Sequence, residues 1–546
     1  MTTPNTPTPS PAPSPTPPSG GRGPAGFRSL RRMMMASTVG LATVALAACG
    51  AATAITGTDA SSSTTTSTTS TTSTTSTTAT VAGALSSIDT HVDEDDLTWD
   101  AADEQTITLA DSGSTSDSDA VSVDGSTVTI TAGGVYRLTG SLSDGQVVVA
   151  APEDETVTLV LDGASITSSS GPGISVTSAD EVTISLASGT QNSVADGSGY
   201  TVADDATPVA AIASASDLTI AGDGSLTVTG STNDGISSSD GLAILGGTLS
   251  VTAADDGIRG KDYVTLTGGD VTISAGGDAL KSDNATDADR GWVLVSGRTL
   301  SIDAGDDAIT GEQAVEISGG TVDITASYEG IESASILISG GDVSVTSSDD
   351  GLNAVASDDS ETSDDAETSD AFGPGGGMGD DGSTLTISGG TLAVDAEGDG
   401  LDSNGSLTIS GGETTVNGPT TSGNGAVDVN GAYTITGGSL VTADAGGMVV
   451  SPSEDSEHTA VQFSLGSAAS AGDTLEVQDS SGTTVATITL TTSSAAIIAT
   501  GDWVVDGESY TLVGEGTELA TATAGEITAS GMGGAGGGEG GMGPRG

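Results

Sequence analysis

The chain is poor in three things that large soluble proteins use freely: aromatic side chains, positive charge and cysteine. Its 546 residues include three Phe, three Trp and six Tyr. Aromatic bulk fills wide cores, so the interior must be narrow and packed with Val, Ile, Leu and Ala. Eleven Lys and Arg stand against 75 Asp and Glu, a formal net charge of −64. Such a surface repels nucleic acid and anionic membrane, because phosphate recognition needs clustered Lys and Arg. It provides solubility; its functional reading is affinity for hard cations. The two histidines, His91 and His458, lie in different regions with no third partner, which argues against a zinc site or a Ser-His-Asp triad. The glycines sit between strands rather than before helices, so there is no phosphate-binding loop. A single cysteine permits no intrachain disulfide.

That cysteine is placed informatively. Residues 36–48 form a short apolar run behind Arg28, Arg31 and Arg32, too short to span a membrane comfortably, and read as a signal-peptide core. The run ends in Leu46-Ala47-Ala48-Cys49-Gly50, which resembles the lipobox of bacterial lipoproteins. This implies lipidation of Cys49 and an exported protein anchored to the outer face of the cytoplasmic membrane. The alternative is an ordinary signal with an incidental cysteine. Arg31-Arg32 hints at twin-arginine export, but Met33-Met34-Met35 matches the rest of that signal poorly. The expected organisation is a leader and signal at 1–48, then a lipidated Cys and Ser/Thr-rich tether at 49–96. A repetitive body at 97–450, a small β module at 451–528 and a Gly-rich tail at 529–546 follow. Tether and tail lack apolar periodicity and cannot bury a core.

Inside the body the organising feature is repetition. LAILGGTLSVTAADDGI from Leu242, VTLTGGDVTISAGGDAL from Val264 and VLVSGRTLSIDAGDDAI from Val293 share one pattern. The segments from Val315, Ile336 and Leu385 repeat it. Two alternating apolar residues, a Gly-Gly corner, two more alternating apolar residues and an acidic turn recur. Period-two alternation means short strands with one buried face, and the Gly-Gly and Asp-Gly pairs are turn signals. The acidic position falls at 234, 256, 278, 307, 329, 350 and 399, mostly 22 residues apart. Three short strands and three corners need about 22 residues, one coil of a parallel β-helix. The 29-residue step holds an extra loop at 283–291, and the 49-residue step an insertion at 358–382 plus roughly one further coil. Leucine-rich repeats lack their signature here, and calcium-binding nonapeptides have the wrong period. Residues 107–220 read as first coils plus a cap. Beyond Gly447, strands at 461–465, 474–477, 484–489 and 510–513 read as an antiparallel cap that covers the open strand edges.

Stacked coils place equivalent residues about 4.8 Å apart. Asp234, Asp256, Asp278, Asp307, Glu329 and Asp350 therefore form a ladder of carboxylates, with Asp255, Asp306 and Asp349 beside it. Neighbours at that distance repel by roughly 3 kcal/mol at an effective dielectric near 20. Calcium would bridge them well, since it takes six to eight oxygens in flexible geometry. The alternative is that each Asp bonds the backbone of its own turn. Five of the six basic residues in the body fall between 259 and 298: Arg259, Lys261, Lys281, Arg290 and Arg298. One reading is a salt-bridge patch neutralising Asp256, Asp278 and Asp283. The other is a shallow groove for carboxylated sugars formed by Arg259, Lys261, Lys281 and Asp283, with Trp292 and Tyr263 offering a flat face.

The block DDGIRGKDYVTLTGGDVTISAGGDALKSDN at 255–284, with the Gly-Met insertion and strand at 372–390, resembles a family of secreted bacterial carbohydrate-binding proteins. The resemblance covers most of 100–528. It implies a right-handed, all-β parallel helix akin to pectate lyases, bound calcium, and association with cellulose or acidic pectin-like polysaccharide without established cleavage. A carbohydrate-binding surface lipoprotein, monomeric, is the leading expectation. A calcium-dependent polysaccharide lyase is the second, with Lys281, Lys261 or Arg259 as the base. A structural adhesin or stalk is the third.

Overall fold

The computed structural model describes residues 85, 88, 90–92, 97–200, 208–356, 380–419, 421, 423–453 and 456–527. The chain divides into Met1–Thr74 and Thr75–Gly546, and every described residue belongs to the second unit. Cys49, the signal, the Ser/Thr run at 57–80, most of the insertion and the Gly-rich tail lie outside the described residues.

Among the described residues the fold is all-β, with no α-helix. Each repeat gives one strand to each of three columns, as in Gly241–Ile244, Thr248–Ala253 and Ile258–Gly260. Within a column the strands are parallel and in register. Leu242 pairs with Val264, Val264 with Val293 and Val293 with Val315. Ile258 pairs likewise with Leu280 and Leu280 with Ile309. These spacings match the repeat length and are consistent with the expected parallel β-helix. The first two columns are also joined at both ends of a long run by single strands, Val157–Ser168 and Ala314–Ala326. The pairing therefore returns on itself as a barrel-like ring.

The 49-residue step contains one repeat. Ser335–Ser347 pairs directly with Thr384–Ala396, and Leu352–Ala354 with Leu401–Ser403. The core is a set of aliphatic stacks such as Ile236, Ile258, Leu280, Ile309 and Ile331, all with no exposed surface. Burying each such side chain contributes about 1.5–3 kcal/mol. The corners need glycine for two reasons. Gly269 has φ +83°, and a Cβ on Gly268 would lie 2.1 Å from the Leu245 carbonyl oxygen.

Both ends are finished by antiparallel pairing. Thr115–Ser116 pairs with the first strand, Glu104–Leu109. At the other end Ser494–Gly501 lies antiparallel to Tyr433–Asp444, and a four-stranded antiparallel sheet over 474–523 follows. Free strand edges invite pairing with other chains, and these segments satisfy them.

One feature breaks the alternation. In Thr248–Ala253 every second residue is exposed, whereas all four residues of Tyr263–Leu266 and of Trp292–Val295 are buried. The outward face of the first column is covered by chain that precedes the body. Leu85 packs against Tyr263, Trp292, Leu294 and Ala314, and its N–H donates to the buried Glu316 carboxylate. His91 lies over Tyr263 and reaches the Thr219 hydroxyl at 2.8 Å.

Candidate functional site

The acidic ladder stands immediately before the strands of the third column. In most repeats one carboxylate oxygen accepts the backbone N–H of the ladder residue in the next repeat. Asp256 Oδ1 accepts from Asp278 at 3.0 Å, and Asp278 Oδ1 from Asp307 at 3.1 Å. Asp307 Oδ1 accepts from Glu329 at 3.1 Å, and Asp350 Oδ1 from Asp399 at 2.6 Å. The carboxylates thus fasten successive repeats, not their own turns. The reason is that the following N–H groups, Gly257 and Ile258 for example, already donate to carbonyls of the next repeat. The second oxygen of each carboxylate is left for other partners.

Those partners come from a second row, three residues further on and in register through the column. It runs Ser237, Arg259, Lys281, Thr310, Glu332, Asn353, Asp402, Asp428. At one end it is basic. Lys281 Nζ lies 2.7 Å from Asp278 and 3.5 Å from Asp256. Arg259 reaches Asp283 at 2.5 Å and Asp234 at 3.8 Å. The structure therefore brings together Arg259, Lys281, Asp256, Asp278 and Asp283, each cation already holding carboxylates. Burial pulls the Lys281 ammonium down, but Asp278 and Asp256 overcome this and hold it above the ordinary lysine range. A general base at neutral pH needs the opposite shift, so the geometry does not favour Lys281 in the lyase role. Burial likewise favours loss of the Arg259 proton, and Asp283 and Asp234 outweigh it. Lys261 is exposed and forms no ion pair among the described residues.

The other end of the row holds no cation among the described residues. There the oxygens of Asp307, Glu329 and Glu332 lie within 4.8 Å of one another; at the junction of the two ends so do those of Asp306, Asp307 and Asp278, the last already held by Lys281. These acidic clusters could hold a metal ion. Two buried oxygens with no hydrogen-bond partner flank Glu332 in register, Thr310 Oγ1 and Asn353 Oδ1. A set of carboxylate, hydroxyl and amide oxygens is the donor chemistry that calcium takes. Burial, then repulsion from Asp278 and Glu329, holds Asp307 far above the carboxylate range. Burial raises Glu329 to about 7, with Glu332 adding to it while Asn353 opposes. Asp402 is pushed to about 8 by burial and by Asp350 and Asp399. Asp350 and Asp306 are raised too, burial first. Asp255 and Asp306 are exposed at the rim and Asp349 is half-buried.

Trp292 does not join this site. It is 1 % exposed, stacked on Tyr263 at 4.7 Å between centroids, and covered by Leu85. Neither ring offers a free face to a sugar, because the preceding chain occupies it. Glu332, Asp402 and Asp428 were not among the expected site residues. For Glu332 and Asp402 the signal is a fixed offset, row residue three after ladder acid, as in Asp278 and Lys281 or Asp399 and Asp402; before Asp428 that position is Gly425.

A family described as carbohydrate-binding domain-containing protein matches residues 124–420. That is more than half of the chain, and the chain belongs to this family. The match spans the two rows from Asp234 to Asp402 and stops before Asp428. Among solved structures, the polysaccharide lyase-like protein from C. thermocellum, in a gadolinium derivative, is 34 % identical to the aligned part. It covers 44 % of this chain and 93 % of its own, with a TM-score of 0.39. No curated protein matches.

Proposed function

We propose that this protein is a surface-anchored lipoprotein that binds acidic polysaccharide with the help of calcium, presented on a right-handed parallel β-helix. The observation that carries this reading is the double row on the third column, within the carbohydrate-binding family match. At one end Arg259, Lys281 and Lys261, the last without an ion pair among the described residues, offer cations; at the other Asp307, Glu329 and Glu332 gather oxygens with no counter-charge among those residues. A polymer carboxylate needs positive partners on a protein whose overall field repels it. Calcium held by Asp307, Glu329 and Glu332 would supply positive charge where the described residues have none.

Affinity electrophoresis tests the reading. In gels with polygalacturonate and calcium, the wild-type chain is retarded. The double change Arg259→Ala and Lys281→Ala weakens retention about tenfold, about 1.4 kcal/mol, while circular dichroism confirms the fold. A folded double mutant retarded as strongly as wild type would leave these residues as a salt-bridge cluster only. Anchoring is tested separately: Cys49→Ser moves the protein from the membrane fraction to the medium, and an unchanged membrane fraction overturns the lipoprotein assignment.

A further inference from the structure

The segment that covers the first column is fastened in two ways. Leu85 and Ile88 pack on Tyr263, Trp292, Leu294 and Ala314 by apolar contact. His91, further on, enters a polar recess with a side chain only 8 % exposed. Three strands furnish its floor: Glu181 opens Glu181–Leu186, Asp217 opens Asp217–Gly222 and Tyr263 opens Tyr263–Leu266. Asp240, just before Gly241–Ile244, and Arg290 line the remaining sides. The Arg290 guanidinium lies 3.5 Å from Asp262 and 5.7 Å above the Tyr263 ring, so it is turned to those groups. The oxygens around the imidazole favour a proton on each of its nitrogens. Thr219 has one hydroxyl proton and donates it to Glu181 at 3.1 Å, so at 2.8 Å it accepts from His91 Nε2–H. On the other side Nδ1 touches the Tyr263 hydroxyl and lies 3.2 Å from Asp217 Oδ1, an oxygen that only accepts. The Tyr263 oxygen also accepts the His91 backbone N–H at 2.8 Å. A bare Nδ1 would set its lone pair against the Asp217 carboxylate, whereas a proton there makes the approach a charge-assisted contact. Glu181, 3.9 Å from Nε2, adds a second negative partner.

We propose that His91 is a charge-operated latch: an imidazolium between Asp217 and Glu181 holds the covering segment on the stack, and the segment loosens when the ring gives up its proton. Histidine is the side chain whose charge ordinarily changes between about pH 5 and 8. The sign is definite. Docking favours the protonated ring, so the hold weakens as pH rises. Asp240 titrates in the same window, raised to about 6 by burial and then by Asp217 and Asp262. Its charge appears as pH rises and attracts the ring while the ring keeps its proton, so Asp240 opposes release. Burial holds the Tyr263 phenol above its ordinary value, and it stays a neutral hydroxyl throughout the window. Opening has two consequences. It uncovers Tyr263 and Trp292, and it moves the point at which the preceding chain leaves the stack. That point shifts from beside Glu316 to the start of the first strand, where the Trp99 indole N–H donates to Glu104.

The test is hydrogen exchange of the full-length protein in millimolar calcium, which quiets the titration of the carboxylate ladder. Rates are corrected for the intrinsic effect of pH. Peptides that carry Leu85 and His91 should exchange about tenfold faster at pH 8 than at pH 5.5, the scale set by losing one charged hydrogen bond. The strand Thr248–Ala253 is the internal reference and should not change. His91→Gln keeps a donor and an acceptor but no charge, and its covering segment should exchange alike at both pH values. Asp217→Asn should speed exchange at pH 5.5 and leave the rate at pH 8 near that of wild type. Hydroxyl-radical footprinting reads the uncovering directly: oxidation of Trp292, referenced to Trp503, should rise with pH in wild type and not in His91→Gln. Equal exchange of the wild-type segment at the two pH values overturns the latch. So does a wild-type pH slope retained in His91→Gln or in Asp217→Asn. A segment that opens only together with Thr248–Ala253 reports loosening of the whole stack and overturns it as well.

Discussion

The two halves of the third column are built on one backbone plan and differ in a handful of side chains. Around Asp234, Asp256 and Asp278 the row three residues on carries Arg259 and Lys281. Around Asp307, Glu329, Asp350 and Asp399 it carries Thr310, Glu332, Asn353 and Asp402. In the first half the protein supplies its own counter-charge, and Asp256 rises only to about 6, burial being opposed by Lys281. In the second half nothing of that sign is present among the described residues, and Asp402 reaches about 8. The scaffold tolerates both solutions because the same inter-repeat N–H contact to Oδ1 recurs in each. What changes is whether the remaining oxygen is satisfied from within.

The largest expected effect breaks the second half and spares the first. Each calcium site filled at a hundred times its Kd stabilises the fold by about 2.7 kcal/mol. Melting in chelator should therefore fall well below melting in millimolar calcium. Hydrogen exchange should locate the loss around 307–428 and leave 234–282 protected. Equal melting in the two buffers would mean that the acidic half is stable without a cation.

The chelated protein should also respond to pH with a definite sign. Asp402, Asp399 and Glu329 titrate near 8, 7 and 7 in the fold, burial being the main cause, against 3.8 to 4.5 in an open chain. The folded state then holds more protons than the unfolded state between about pH 4 and 8. Stability must fall as pH rises through that window. Without calcium, melting is expected to be higher at pH 5 than at pH 8. Calcium should flatten the slope, because it replaces those protons. A chelated protein that grows more stable from pH 5 to 8 would contradict the uncompensated half.

Lys281→Ala sharpens the comparison by making the first half resemble the second. It leaves Asp278 and Asp256 buried without their ammonium and should cost about 2 kcal/mol in chelator, read from urea unfolding. Added calcium should recover part of that loss. The smallest effect belongs to Lys261→Ala. An exposed lysine with no ion-pair partner among the described residues should change stability by less than about 0.5 kcal/mol, yet modestly lower retention on polygalacturonate.

Much of this was legible before any coordinates. Alternation around Gly-Gly pairs gave the strands, and the recurrence of the acidic position gave the stacking of Asp256 on Asp278 and of Arg259 on Lys281, both found in register. The three-residue offset that builds the second row was equally present in the letters, but Glu332 and Asp402 attract no notice until ladder and row share a face. What pattern alone does not carry is contact between segments far apart in sequence. Tyr263 and Trp292 have the spacing and character of an exposed platform, and only the docking of Leu85 and His91, more than 170 residues away, removes them from solvent. The period counts residues along the stack; it holds no information about a segment that lies across it.

That segment has a mechanical consequence. Leu85 is seated beside Trp292 and Glu316, in the middle of the stack, and the chain then runs past Tyr263 and Thr219 before the first strand begins at Glu104. A force applied to the chain ahead of Leu85 therefore arrives at the flank, far from the first strand. It meets the Leu85 contacts, then those of His91, one after another, before any repeat bears load. Peeling of this kind yields in small steps at low force, whereas parting a column of parallel strands requires many hydrogen bonds to fail together. Under such a load the contacts of Leu85 and His91 would part before the strands of the stack, and the repeats would stay whole.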